Sequence, residues 1–248
     1  MTDLSQKLPF IPVVIIGAGR SGTNALRNAM TALPQLRTWP CDEINAIWRH
    51  GNIAHPDDEM TATEAKPKVR KFIRNAFVSF WRSTGQPAYV VEKTCANALR
   101  VGFVHAVLPE ARFIHIVREG SDVTSSAAQR WQGRLEVPGL AYYRAKLRYV
   151  PLSDLPVYGW AFLRNRLHLA FSKSKRLSTW GPRFRSMTAM SSVTVEEVCA
   201  LQWHHCVTKA EAALQVLPEG QAITIRYEDF TSDPASTLAT ILSFLGTK

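Results

Sequence analysis

Four consecutive β-branched residues, Val13, Val14, Ile15 and Ile16, run directly into the glycine-rich turn Gly17-Ala-Gly-Arg-Ser-Gly22. An apolar run without polar alternation suits a strand covered on both faces, which calls for a parallel sheet with helices on either side. After the turn, Ala25 to Leu33 has the apolar spacing of a helix. The turn therefore lies at a helix N-terminus, where unpaired backbone N–H groups and the helix dipole favour an anion. Gly17, Gly19 and Gly22 let the backbone approach that anion closely.

Spacing separates the loops that could use such a turn. A Walker A loop has Lys and then Ser or Thr after its last glycine, but Thr23 and Asn24 stand here and the cation is Arg20, inside the loop. A nucleotide kinase or triphosphatase of the ordinary kind is disfavoured. Gly17, Gly19 and Gly22 satisfy the Gly-x-Gly-x-x-Gly fingerprint of a dinucleotide-dependent oxidoreductase, and Asp42 and Glu43 fall near the distance of its ribose-binding acid. However, Gln35 to Cys41 makes a poor core strand, and Arg20 is unusual in a loop that is normally neutral.

Short apolar runs at Ala88 to Val91, Arg112 to Val117 and Ala222 to Arg226 read as further strands, separated by helical patterns. Ligands of open parallel sheets bind beyond the carboxyl ends of the strands, so Arg20, Lys93 and Arg118 are expected to meet in one crevice. Asp233-Pro234 reads as the cap of a final helix, Ala235 to Leu245. Gln132 to Ser192 is irregular, Pro-containing and basic, which suits a substrate-facing insertion (132–192) in a single domain spanning 1–248.

Four segments in order resemble the sulfotransferase family. Arg20-Ser-Gly-Thr23 resembles its loop for the 5′-phosphosulfate of 3′-phosphoadenosine 5′-phosphosulfate. Phe113 to Ser126 resembles its second signature, with Arg118 and Ser126 eight residues apart as in the grip on the 3′-phosphate. Glu92-Lys-Thr94 resembles its lysine segment, and Ile225 to Phe230 with Phe244-Leu-Gly246 resembles its C-terminal end. The resemblance implies a three-layer α/β/α fold with a central parallel sheet, of the P-loop type. It also implies sulfuryl transfer to a hydroxyl or amine of a small-molecule or glycan acceptor, a carbohydrate or lipid among them, without a metal.

By the same resemblance, Arg20 with Ser21, Gly22, Thr23 and Asn24 would cradle the 5′ end. Arg118 and Ser126 would hold the 3′-phosphate, Lys93 would sit near the bridging oxygen, and Glu43 in Pro40 to Asn45 would be the base. Trp180 to Ser186 is similar to a basic loop over the 3′-phosphate, with Arg183 its candidate. Other readings of these residues stay open. Asp42 and Glu43 could cap a helix from Ile44 to His50, a histidine takes the base's role in other branches of the family, and Tyr227 and Glu228 are expected to organise loops.

Composition bounds the rest. With 248 residues and 46% hydrophobic content the chain can bury a sizeable core. Met1 to Lys7 lacks the regions of a secretory signal, from which a cytoplasmic location is expected. Cys41, Cys95, Cys199 and Cys206 have no Cys-x-x-Cys spacing, so buried thiols are expected rather than a disulfide framework or a zinc site. The net charge of +10 concentrates between Arg134 and Arg185, where only Glu136 and Asp154 are acidic. The excess points either to a polyanionic partner (the nucleotide, an acidic acceptor or an anionic membrane surface) or to a solvated basic helix face. A non-catalytic polyanion-binding protein would keep that stretch without needing Glu43. Nucleic acid is disfavoured because no nucleic-acid module is present. Oligomeric state is not legible.

Overall fold

The computed structural model describes residues 7–131, 144–145, 147–171, 180–187, 190 and 193–247. Five parallel strands form its sheet: β1 (Ile11–Ile16), β2 (Leu36–Thr38), β3 (Tyr89–Lys93), β4 (Arg112–Val117) and β5 (Ala222–Arg226), in the order β2-β3-β1-β4-β5. β1 lies at the centre, with Val13 to Ile16 fully buried, as a strand covered on both faces requires.

Alternate residues of the central strands feed two cores. Val14, Ile16, Val90 and Phe113 face a layer built from α3 (Pro67–Ser83), α4 (Val101–Val107), α5 (Gly120–Trp131) and α7 (Val195–Gln215). Val13, Ile15, Val91, Ile114 and Ile116 face α1 (Thr23–Thr31), together with α8 (Tyr227–Ser232) and α9 (Pro234–Leu245). The result is the expected three-layer α/β/α arrangement. Asp233 caps α9, its Oδ1 accepting from the N–H of Ser236 at 3.0 Å.

Two local expectations change. The segment judged a poor core strand contains β2, an edge strand of three residues paired only with β3, and an edge position does not demand a continuous apolar run. The stretch read as irregular contains α6 (Leu155–Phe171), while 132–143 and 172–179 lie outside the described residues. Helix α2 (Asn45–Arg49) is a short turn after the Pro40 segment.

The four cysteines are buried and free. His115 is also buried, on β4, and desolvation pushes its pKa down to about 4, so it is a neutral core histidine. Among the described residues no helix is long and apolar enough to cross a membrane.

The strand order places the site. From β1 the chain crosses towards β2 on one side of the sheet, whereas β4 continues to β5 on the other. Connections that diverge from neighbouring strands leave a crevice at their carboxyl ends. The glycine loop leaves β1 there and Arg118 follows β4.

Candidate active site

A cleft of about 420 Å³ opens at that point, lined by Arg20, Gly22, Thr23, Asn24, Asp42, Glu43, Lys93 and Arg118 among others. Its floor is the start of α1. Gly22 occupies the N-cap in the left-handed region (φ 86°) and no side chain caps the helix, so first-turn N–H groups remain available to an anion. Arg20 is also left-handed (φ 76°), a conformation costly for a residue with a Cβ and most often retained at functional positions.

Only glycine fits at position 22, because a Cβ there would lie 2.1 Å from a ring carbon of Tyr227. Gly22→Ala should lower the melting temperature by about 5 °C, through a left-handed alanine costing roughly 1–2 kcal/mol plus displacement of the tyrosine. An unchanged melting curve would mean that the loop relaxes freely around the methyl group.

Tyr227 is more than a strand-end spacer. Its ring lies 4.5 Å beneath the Arg118 guanidinium, a cation–π contact that fixes the arginine over the loop. Arg118 also donates to the Arg20 carbonyl (3.4 Å) and pairs with Asp122 (3.0 Å), while Trp203 Nε1 donates to the Arg118 carbonyl at 3.2 Å. Arg20 Nε in turn donates to Ser126 Oγ at 2.9 Å. Arg20, Arg118 and Ser126 thus form one cluster between the loop and α5. Arg118 Nε is buried and has no hydrogen-bond partner.

Across the cleft, Lys93 ends β3 with its side chain buried. Its Nζ lies 2.9 Å from Asp42 Oδ1 and 3.2 Å from Glu43 Oε1. Burial alone would depress the lysine pKa, but the Glu43 and Asp42 carboxylates outweigh it and raise it above the usual lysine value. Burial likewise works against Asp42, and Lys93 and Arg27 overcome it and hold its pKa below the carboxylate range. Glu43 Oε1 also accepts from the N–H of Cys95 at 3.2 Å. The helix-capping role does not apply to either carboxylate, since α2 starts at Asn45 with Ile44 at its N-cap and no side-chain cap.

Other expected residues sit differently. Ser21 is buried, its side chain turned into the protein and its N–H donating to the Ala18 carbonyl at 3.2 Å, so it shapes the turn. The Arg183 guanidinium lies against Asp58, with Nε 3.7 Å from Oδ2, and the nearby cleft wall is Trp180, Gly181 and Pro182 instead. The cause is Asp58, whose Oδ2 also accepts from the Arg183 N–H at 2.8 Å. Glu228 accepts from the N–H of Glu119 at 3.0 Å, organising the loop after β4. His204 and His205 lie on α7, and among the described residues no group of His, Cys, Asp and Glu could hold a metal.

Arg130, Trp180 and Tyr227 line the cleft without having been singled out as ligands. Arg130 follows Ser126 by four residues on α5, a spacing that puts both on one helix face and was readable in advance. Trp180 opens the segment likened to the loop over the 3′-phosphate, and it lines the cleft where Arg183 of that segment does not.

A wall of cationic side chains and helix N–H groups facing a paired lysine and carboxylate is suited to moving a negatively charged group. The family model described as the Sulfotransferase family matches residues 12–149 and 161–248. No curated protein matches the sequence. Among solved structures, the sulfotransferase domain from the curacin biosynthetic pathway aligns over 98% of this chain and 76% of its own, at 15% identity and TM-score 0.56. The sulfotransferase domain of the Synechococcus PCC 7002 olefin synthase gives the same coverage, identity and score. A sulfotransferase from Alicyclobacillus acidocaldarius aligns over 97% of this chain and 83% of its own, at 13% identity and TM-score 0.55. These structures share the fold, and the family match takes in the glycine loop, Lys93, Arg118 and the C-terminal helices: the chain belongs to the sulfotransferase family.

Proposed function

We propose that the cleft transfers a sulfuryl group from 3′-phosphoadenosine 5′-phosphosulfate to an acceptor hydroxyl or amine. One observation carries this reading: the buried Lys93 ammonium and the Glu43 carboxylate stand 3.2 Å apart in the same cleft as the glycine loop and Arg118. The acceptor oxygen or nitrogen attacks sulfur as the bond from sulfur to the bridging oxygen breaks, and Glu43 takes the acceptor's proton. The bridging oxygen departs with the 5′-phosphate and carries negative charge. Lys93, Arg20 and the N–H groups around Gly22, Thr23 and Asn24 are the groups that would stabilise it.

Asp42 has a supporting role. Held by Arg27 at 3.1 Å, it gives Lys93 a second carboxylate partner, so the lysine keeps a fixed position when Glu43 takes up a proton. Arg118, with Ser126 and the neighbouring Arg130, would hold the 3′-phosphate. This reading assigns the departing charge to protein groups. The acceptor class is a small molecule or glycan that carries a hydroxyl or amine, with carbohydrates and lipids among the candidates.

Thermal-shift titration with adenosine 3′,5′-bisphosphate, ATP and NAD tests the assignment. The bisphosphate should stabilise most, by about 2.7 kcal/mol at a hundred times its Kd. Stabilisation by ATP or NAD alone would overturn it. Arg118→Ala should weaken bisphosphate binding by about 1–3 kcal/mol, roughly 5- to 150-fold. An unchanged affinity would remove Arg118 from the nucleotide site.

A further inference from the structure

Helix α6 is tied to the protein at its start. Asp154, the residue before it, pairs with His50 at the end of α2 (Oδ2 to Nδ1, 2.9 Å), and the Tyr158 hydroxyl is buried. On the opposite side of the helix, Trp160, Leu163 and Leu167 recur at the i, i+3, i+7 spacing of a single stripe. These side chains are 64%, 48% and 46% exposed. Large apolar groups aligned along one face and turned away from the body mark a contact surface.

The charge of the sequence that holds α6 indicates what that contact is. Leu155 to Val195 contains no Asp or Glu but seven Lys and Arg residues, and Arg144 and Arg148 in the segment leading into α6 are exposed. Arg164 is exposed beside the stripe. A second copy of the chain packed on α6 would bring two such basic segments together and be repelled, whereas an anionic surface attracts both charge and stripe. Residues 150–160, which include the start of α6, fall outside the family match.

We propose that α6 docks the protein on an anionic lipid bilayer, lying in the headgroup region with Trp160, Leu163 and Leu167 inserted and the neighbouring arginines on the phosphates. Among the described residues no helix can cross a bilayer, so the helix lies on the membrane. Because Asp154 is tied to α2, which begins two residues after Glu43, docking holds the candidate base near the membrane surface. The docking surface stands independently of the transfer reading.

The test is co-sedimentation of the full chain with vesicles of phosphatidylcholine alone, and of phosphatidylcholine with about a third phosphatidylserine. Binding is expected only to the anionic vesicles and should fall as salt rises. Trp160→Ser with Leu163→Ser should weaken it at least about tenfold, with the melting temperature and the bisphosphate thermal shift unchanged. Should the double variant fail to fold, Arg164→Gln should still weaken binding by roughly fivefold. Failure to bind anionic vesicles, or equal binding to neutral ones, would overturn the proposal. A concentration-dependent dimer that the double variant dissociates would also overturn it, assigning α6 to a second copy.

Discussion

Glu43→Gln is expected to lower kcat by roughly 10²- to 10⁴-fold while leaving affinity for adenosine 3′,5′-bisphosphate unchanged. The amide keeps the shape of the carboxylate and an oxygen to accept from the Cys95 N–H, which lies 3.2 Å from Glu43 Oε1. Lys93 keeps Asp42 at 2.9 Å, so the cation facing the departing phosphate stays in place. The ability to accept a proton is lost together with one of the two negative charges facing Lys93, and Asp42 remains as its counter-charge. Initial rates with labelled donor, measured beside a bisphosphate titration, separate the two effects. Turnover close to wild type would move the base elsewhere, and a parallel loss of bisphosphate binding would show that Glu43 acts by organising the site.

Asp58→Ala should have the largest effect on stability, about 3–5 kcal/mol, or a melting temperature lower by roughly 10 °C. Asp58 is 2% exposed, and its Oδ1 lies 2.7 Å from Arg49 Nη1 and 3.6 Å from Arg100 Nη1. Arg100 is itself buried and also donates to Asn45 Oδ1 at 2.6 Å and Asn97 Oδ1 at 2.8 Å. Removing the carboxylate leaves buried guanidinium charge uncompensated, which costs far more than losing an exposed ion pair. Burial raises the Asp58 pKa, but Arg100, Arg49 and Arg183 outweigh it and hold it below the usual carboxylate value. Its contribution is therefore present above the unfolded carboxylate pKa and lost as pH falls through the lower folded value. Thermal melts should show the difference between variant and wild type shrinking under acid. A gap that stays constant down to acid pH would exclude the ionised carboxylate as the source.

Much of the fold was legible because it rests on local pattern. Val13 to Ile16 and most of Arg112 to Val117 are buried strand, and a covered parallel sheet accommodates such runs. Leu36 to Thr38 escaped because a three-residue edge strand needs no apolar signature. In the site, the loop glycines and Arg118 could be read from spacing, since each follows its strand immediately. Arg183 could not be placed that way. Its orientation is decided by Asp58, which is 125 residues distant in sequence. The left-handed backbone at Arg20 was equally hidden, because nothing in the residue type requires it.

The two walls of the cleft are built differently. The glycine loop, Lys93 and Arg118 leave the ends of β1, β3 and β4, positioned by backbone ladders that almost any sequence can form. The wall of Trp180, Gly181 and Pro182 hangs from particular side chains: Gln202 Nε2 donates to the Trp180 and Pro182 carbonyls at 2.9 and 2.7 Å, and Asp58 and Glu59 accept from the N–H groups of Arg183 and Arg185 at 2.8 and 2.9 Å. The first kind of wall survives extensive drift, in keeping with a shared fold at 13–15% identity. The second changes whenever one of its few tethers does, so divergence between lineages should gather on that side of the cleft.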